Sequence, residues 1–522
     1  MKESHIILSQ NPSVFALTEL PVIDYVQFWQ EISSLLKSNN NHMIAYFPLS
    51  NGADKWKFIC AIADDENKNI RVYSHECQRE NAQLETLTKE INAVHIFERE
   101  MHENHGIQFP GNPWLKPVRW PHDRYDKSNC MNDYPFFHVD SEELHEVGVG
   151  PVHAGIIEPG HFRFICNGEK VHHLEIHLGY QHRGVEALFV SKISLLQKAV
   201  LSESIAGDTA VGHSLCHAQL IEELAGFSPS ENLQLERAVA LELERIAVHL
   251  GDTAALCGDI AYQLGQVVCE SLRTVVINTT QYWCGNRLGK GFIRAGGSHY
   301  PMTNDVAEEI LKNLDYVEGR FNEMAAHLYS MPGALSRFDG IGVVTNEQGL
   351  RAGLTGMAAR MCGIERDVRA THPFQAYRNF EYESTVFHGG DVLARALMRR
   401  GEIAKSIELI RTVVADILSR IANPRQNVIT NPHQIVDVKN AAPDYKMALA
   451  ANSVCISLTE GWRGEIVHVA VTDAQGDISK YKITDPSLHN WTGLALAVRN
   501  QEISDFPVCN KSFNLSYCGH DL

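Results

Sequence analysis

Apolar positions fall into two periods along this chain. In the first 125 residues short alternating or apolar runs dominate. His42–Phe47 and Trp56–Ala63 read as strands, and Gln83–His102 carries apolar residues at helical spacing up to a stop near Gly106. A polar, turn-rich stretch follows from Pro121 to about Glu146, which suits a linker or an extended arm crossing a partner. Phe162–Cys166 and Val171–Leu178 then bracket Asn167-Gly-Glu-Lys170, a hairpin signal. Beyond Gly184 the 3.6-residue period takes over. It predicts helices at Ile193–Ala206, Ser214–Ala225, Glu231–Leu256, Tyr262–Gly285, Asn304–His327 and Asp391–Ile421. Gly464–Thr472 and Asp477–Thr484, joined by Asp473-Ala-Gln-Gly476, read as a second hairpin. The pattern predicts an α+β unit over residues 1–125, a linker over 126–146, and a mainly helical domain with flanking hairpins over 147–522.

Composition narrows the function. The chain has 522 residues, 46 basic and 63 acidic side chains, and a net charge of −17, too acidic for a nucleic-acid backbone binder. No apolar run of about 18 residues is present, so no membrane span is expected. The start, MKESHIILSQ, lacks the basic-then-apolar order of a secretory signal. Twelve cysteines are scattered without one C-x-x-C pair, so a cluster or zinc site held by this chain alone is not expected. Gly289, Gly291, Gly296 and Gly297 do not form a dinucleotide-binding pattern.

Five segments carry a family resemblance. They are Gly148–His153 (GVGPVH), His177–Glu186 (HLGYQHRGVE), Glu242–Leu250 (ELERIAVHL), Gly353–Tyr377 and Gly461–Glu465 (GWRGE). In this order they resemble the quinone-site subunit of respiratory complex I. They equally resemble the large subunit of group 4 membrane-bound nickel–iron hydrogenases, such as formate hydrogenlyase. His95–Phe109 (HIFEREMHENHGIQF) is similar to the signature of the small complex I subunit fused ahead of the large one in formate hydrogenlyase.

The departures matter as much as the likeness. Such hydrogenases hold nickel and iron with two C-x-x-C pairs, because soft thiolates suit those metals. Anchored on His213, the first pair falls on Ala206 and Thr209, and the second is expected at Pro507 and Asn510. None of these is a cysteine, so no nickel–iron centre is expected. The resemblance to complex I implies instead a quinone-like acceptor in the vacated space. Electrons would come from an iron–sulfur cluster in a small partner subunit, and NADH would be handled elsewhere.

In that resemblance the headgroup donors are a hairpin-loop histidine, matched by His153 with His161 near the second position, and a tyrosine replaced by His217. Arg183 and Glu186 read as a pair ordering the cavity wall. Ile156, Val211 and Met357 are the expected apolar neighbours. His213, four residues before His217, is on the same helix face, and Asp208-Thr209 reads as the cap of that helix. Arg360, Arg366, Asp367 and Arg369 form a dense charged loop that either supports the cavity or meets a partner. The implied setting is the cytoplasmic side of the inner face of the cell membrane. Membrane contact would come only through partners, including antiporter-like subunits. The rival reading is a non-catalytic scaffold or coupling subunit of such a complex.

Overall fold

A computed structural model describes residues 5–153, 157–422 and 442–522. Its N-terminal part is a five-stranded sheet. Strands Ile7–Ser9, Asn69–Gln78, Lys55–Asp64 and Asn41–Asn51 lie in that order, and Val22–Ile23 runs parallel to Asn69–Gln78. Two helices cover it. Tyr25–Leu35 starts at Asp24, whose carboxylate accepts the Val26 N–H. His95–His105 ends at Gly106 in the left-handed conformation. Phe28, Ile32, Tyr46, Phe58 and Phe97 fill the space between.

The helix expected from Gln83 begins only at His95. Residues before it are held as a loop by the Glu98 carboxylate, which accepts the Leu87 N–H at 2.6 Å and the Thr88 hydroxyl at 2.8 Å. Leu84 N also donates to Gln108 O. Short polar side chains there find partners that a helix would not supply.

The large unit is built on a long helix, Glu231–Asp259, flanked by Gln263–Cys284 and Val392–Ala422. Asn304–Leu328 packs on Gln263–Cys284, and Ala210–Leu224 lies against a second sheet. These four flanking helices match the predicted ones to within a few residues. The predicted Ile193–Ala206 helix is shorter, Leu195–Ser202, started by a Ser194 capping box. The expected C-terminal hairpin is Glu465–Thr472 with Ile478–Thr484. It belongs to a four-stranded sheet completed by Ser453–Glu460 and, from the other end of the chain, by Ser13–Ala16. The first hairpin, His161–Asn167 with Lys170–His177, gains a third strand, His145–Val149. Three further helices, Pro486–Val498, Phe506–Phe513 and Tyr517–Asp521, close the chain. The polar arm after Pro121 crosses this chain's own hairpin. Tyr134 stacks on His177, and Phe137 N donates to Glu175.

Among the described residues no helix is long and apolar enough to cross a membrane.

Candidate functional site

Ala206 is fully buried, and Thr209 precedes the first turn of the helix Ala210–Leu224. Neither Asp208 nor Thr209 caps that helix. Its free Val211 and Gly212 N–H groups donate instead to Glu244 of the long helix, at 2.7 and 3.0 Å. Burial pushes the Glu244 carboxyl up to about 8 against the pull of those two donors.

The Asp208 carboxylate takes a bidentate pair from Arg463, at 2.8 and 2.6 Å. The same guanidinium donates to Thr209 Oγ1 at 3.2 Å and to Asn514 O at 2.6 Å, and it stacks 3.9 Å over the Trp462 ring. Trp462 Nε1 donates to the Asp208 carbonyl. Burial alone would weaken the Arg463 charge, but Asp208 more than restores it. The turn that presents Arg463 is fixed by glycine. A Cβ on Gly464, at φ 142°, would lie 2.7 Å from Gly356 Cα, so the two backbones meet where no side chain fits.

The segment facing Ala206–Thr209 is Asn514–Gly519. Arg183 donates to Ser204 O and Ile205 O on one side and to Cys518 O on the other. Arg463 ties Asp208 to Asn514 O. Pro507 and Asn510, taken from the sequence as the second pair, sit one helix earlier, on Phe506–Phe513. A pair of the same spacing facing the first one reads Ser516-Tyr517-Cys518-Gly519. The expected positions, Pro507 and Asn510, are thus distinct from the facing pair Ser516 and Gly519. Cys509, between Pro507 and Asn510, is buried beside Arg395. Either way no thiolate stands at any of the four positions. Among the described residues no three His, Cys, Asp or Glu side chains converge as a metal set.

Arg183 and Glu186 do not pair with each other. Glu186 accepts Ile483 N at 2.9 Å and Lys482 Nζ at 3.1 Å, tying the helix Val185–Ser191 to the C-terminal sheet. His153 Nε2 lies 3.4 Å from Tyr517 Oη, and its ring meets Phe162 edge-on. Burial and the nearby Lys511 lower its pKa, so it is a neutral imidazole near pH 7. His161 turns its Nδ1 to Gly150 O and packs on Phe136. Ile156 lies outside the described residues, while Val211 and Met357 are core side chains.

His217 does not join His153. Both His213 and His217 are buried in another assembly. His213 Nε2 lies 3.0 Å from Asp485 Oδ2, and its Nδ1 is 3.1 Å from His468 Nε2. His468 Nδ1 is 2.8 Å from Tyr481 Oη, which is 2.9 Å from His217 Nδ1. The sequence showed only the first and last histidines of this series.

The charged loop is neither solvated nor at the surface. Arg360 and Arg369 share Glu402, and Arg369 also binds Asp367 and Glu242. Arg366 reaches across to Asp65 of the N-terminal sheet at 3.1 Å, beside a His42–Glu465 contact at 2.9 Å. Of the four loop residues it alone ties the two parts of the chain together.

Half of the chain, residues 259–521, matches the model of the respiratory-chain NADH dehydrogenase 49 kDa subunit. The chain belongs to that family. Residues 26–136 match the model of the 30 kDa subunit of the same dehydrogenase, so the family's two parts are fused here. Hydrogenase-4 component G of Escherichia coli K12 is 23% identical over 92% of this chain and 80% of its own length. Formate hydrogenlyase subunit 5 of the same organism is 24% identical over 92% and 82%. The carbon monoxide-induced hydrogenase of Rhodospirillum rubrum is 27% identical over 70% and 96%. A chain from the membrane-bound sulfane sulfur reductase, an archaeal respiratory membrane complex, shares the fold. Its TM-score is 0.64 at 20% identity, over 74% of this chain and all of that one.

Proposed function

We propose that this chain is a peripheral subunit of a membrane-bound oxidoreductase complex. It takes electrons from an iron–sulfur cluster in a small partner subunit and passes them to a quinone-like acceptor, with no nickel–iron centre of its own. The donor set carries this reading. Facing segments that would need four thiolates present Ala206, Thr209, Ser516 and Gly519, with a guanidinium–carboxylate pair beside them. Such a set suits a polar organic headgroup and not nickel or iron. His153 is the headgroup donor, and Tyr517 orients it. The partners would include antiporter-like membrane subunits; recruitment to a membrane complex is in keeping with the sulfane sulfur reductase whose chain shares the fold. It is also supported by exposed Val190, Ile193, Leu196 and Val200 on or between two short helices next to Arg183. The setting would be the cytoplasmic face of the cell membrane.

Elemental analysis of the purified chain is expected to give nickel and iron far below one atom per chain. About one nickel per chain would overturn the reading. In the assembled complex, His153→Ala is expected to weaken acceptor binding by about 1–3 kcal/mol, and His153→Gln by less, because it keeps a donor. Unchanged turnover in His153→Ala would favour a second reading. In it the chain is a scaffold or coupling subunit, and the Arg463–Asp208 pair serves as a plug filling the old metal position.

A further inference from the structure

The series Asp485, His213, His468, Tyr481 and His217 is fully enclosed, and each link has hydrogen-bond length. It comes from the helix Ala210–Leu224, the strands Glu465–Thr472 and Ile478–Thr484, and the residue capping Pro486–Val498. One end, Asp485, touches the replaced cysteine positions. Its Oδ2 lies 2.6 Å from where a Cβ on Gly519 would be, so only glycine permits the contact. The other end, His217, lines a small cavity with Leu195, Ile293, Arg294 and Tyr445.

Donor and acceptor counting leaves this series two arrangements. Burial raises the Asp485 carboxyl, but the His213 bond and the nearby Arg463 outweigh it and keep it ionised, so it accepts from His213 Nε2–H. If His213 is neutral, its bare Nδ1 must accept from His468 Nε2–H. His468 Nδ1 is then bare and accepts from the Tyr481 hydroxyl, whose oxygen accepts from His217 Nδ1–H. If His213 is imidazolium, its Nε2–H still points at Asp485 and the three links beyond it reverse. His213 Nδ1–H points at His468 Nε2, His468 Nδ1–H at Tyr481 Oη, and the Tyr481 hydroxyl at His217 Nδ1, leaving the proton of His217 on Nε2. The two arrangements differ by one proton.

We infer that this series is a proton relay that carries a proton from the His217 cavity to the His213–Asp485 pair beside the replaced cysteine positions. A proton adds to His217 Nε2. His217 Nδ1–H passes to Tyr481 Oη, the Tyr481 proton to His468 Nδ1, and His468 Nε2–H to His213 Nδ1. Four hydrogen shifts move one net charge inward and leave His217, His468 and Tyr481 neutral. Their neutrality fits their surroundings. Burial holds His468 far below its usual range, and burial with Lys198 and Arg294 holds His217 down at about 3. Only His213 faces a carboxylate able to hold the arriving charge. The groups facing the series are Arg463 and Asp208 at Asp485, Cys216 and Cys455 at Tyr481, and Lys198, Arg294 and the cavity-lining Asp444 at His217. The relay depends on the quinone reading only for what consumes the proton.

The test needs no acceptor, so it separates the two. In the full-length chain with nitrogen-15 histidine, nuclear magnetic resonance reads which ring nitrogen carries hydrogen as pH falls. His468 is expected to exchange Nε2–H for Nδ1–H, and His217 Nδ1–H for Nε2–H, over the same interval in which His213 gains its second proton. Tyr481→Phe is expected to abolish the His217 change while His468 still follows His213. A fixed His468 tautomer while His213 protonates would overturn the relay. So would a His217 change that persists in Tyr481→Phe. If Tyr481→Phe does not fold, the wild-type titration alone decides.

Discussion

The histidine series and the arginine–carboxylate cluster next to it solve the same problem in opposite ways. Both bury several polar groups among the helices and the C-terminal sheet. In the cluster, Glu402 meets Arg360, Arg369, Arg245 and His249, while Glu242 meets Arg245, Arg369, Tyr377 and Ser406. Three guanidiniums, with five donors each and no acceptor, can only donate to the carboxylates they face, so those contacts run one way. In the histidine series each ring nitrogen can donate or accept, so the same five groups allow two arrangements. Fixed ion pairs hold a shape; amphoteric groups leave a proton free to shift.

The largest effect expected from this contrast is in the cluster. Glu402→Ala strands two or more buried guanidiniums and is expected to cost about 3–5 kcal/mol of stability, read as a fall in the denaturant midpoint. A loss under 1 kcal/mol would mean that the arginines find other partners and that the cluster is not locked.

Acid separates the two assemblies next. Burial places His217 at about 3, and His177 and His489 at about 4, while the unfolded chain takes up protons near 6.5. The unfolded state therefore binds more protons below that pH. The stability these groups contribute is complete above about 6.5 and is lost as pH falls toward 4, by about 1.4 kcal/mol per pH unit for each fully buried histidine. Glu402 is held far below its usual range once its arginines outweigh burial, so it adds nothing to this slope, while Glu460, which Arg360 also binds, is pushed up to about 7 by burial and Asp367 and opposes it. Melting curves from pH 7 to pH 4.5 should show the fall, and His217→Gln should flatten it. An unchanged slope in that variant would remove His217 from the account.

The smallest effect is that of Tyr481→Phe. It deletes one hydroxyl between two imidazoles and is expected to lower stability by about 1–2 kcal/mol. A larger loss would indicate a structural lock like that of the cluster.

Local signals are legible in the sequence. Asn167-Gly-Glu-Lys170 makes the expected turn, and the long helices match their apolar period, because both depend on neighbours in sequence. What failed depended on distant partners. The Gln83–Val94 stretch has helical spacing, yet Glu98 holds it as a loop. Asp208-Thr209 has cap chemistry, yet Glu244 supplies the cap. His213 and His217 were visible as a pair, but His468, Tyr481 and Asp485 are more than 250 residues away.

The strand Ser13–Ala16 has a consequence for how the chain is made. Its hydrogen-bonding partner, Ser453–Glu460, is separated from it by more than four hundred residues of synthesis. At about 5–20 residues per second, this early strand leaves the ribosome tens of seconds before its partner exists. Its backbone donors and acceptors must stay solvated or be sheltered during that time, and the sheet closes only as a late step. The joint between the first and last parts of the chain is thus also a quality check: a molecule stalled before residue 453 cannot complete it.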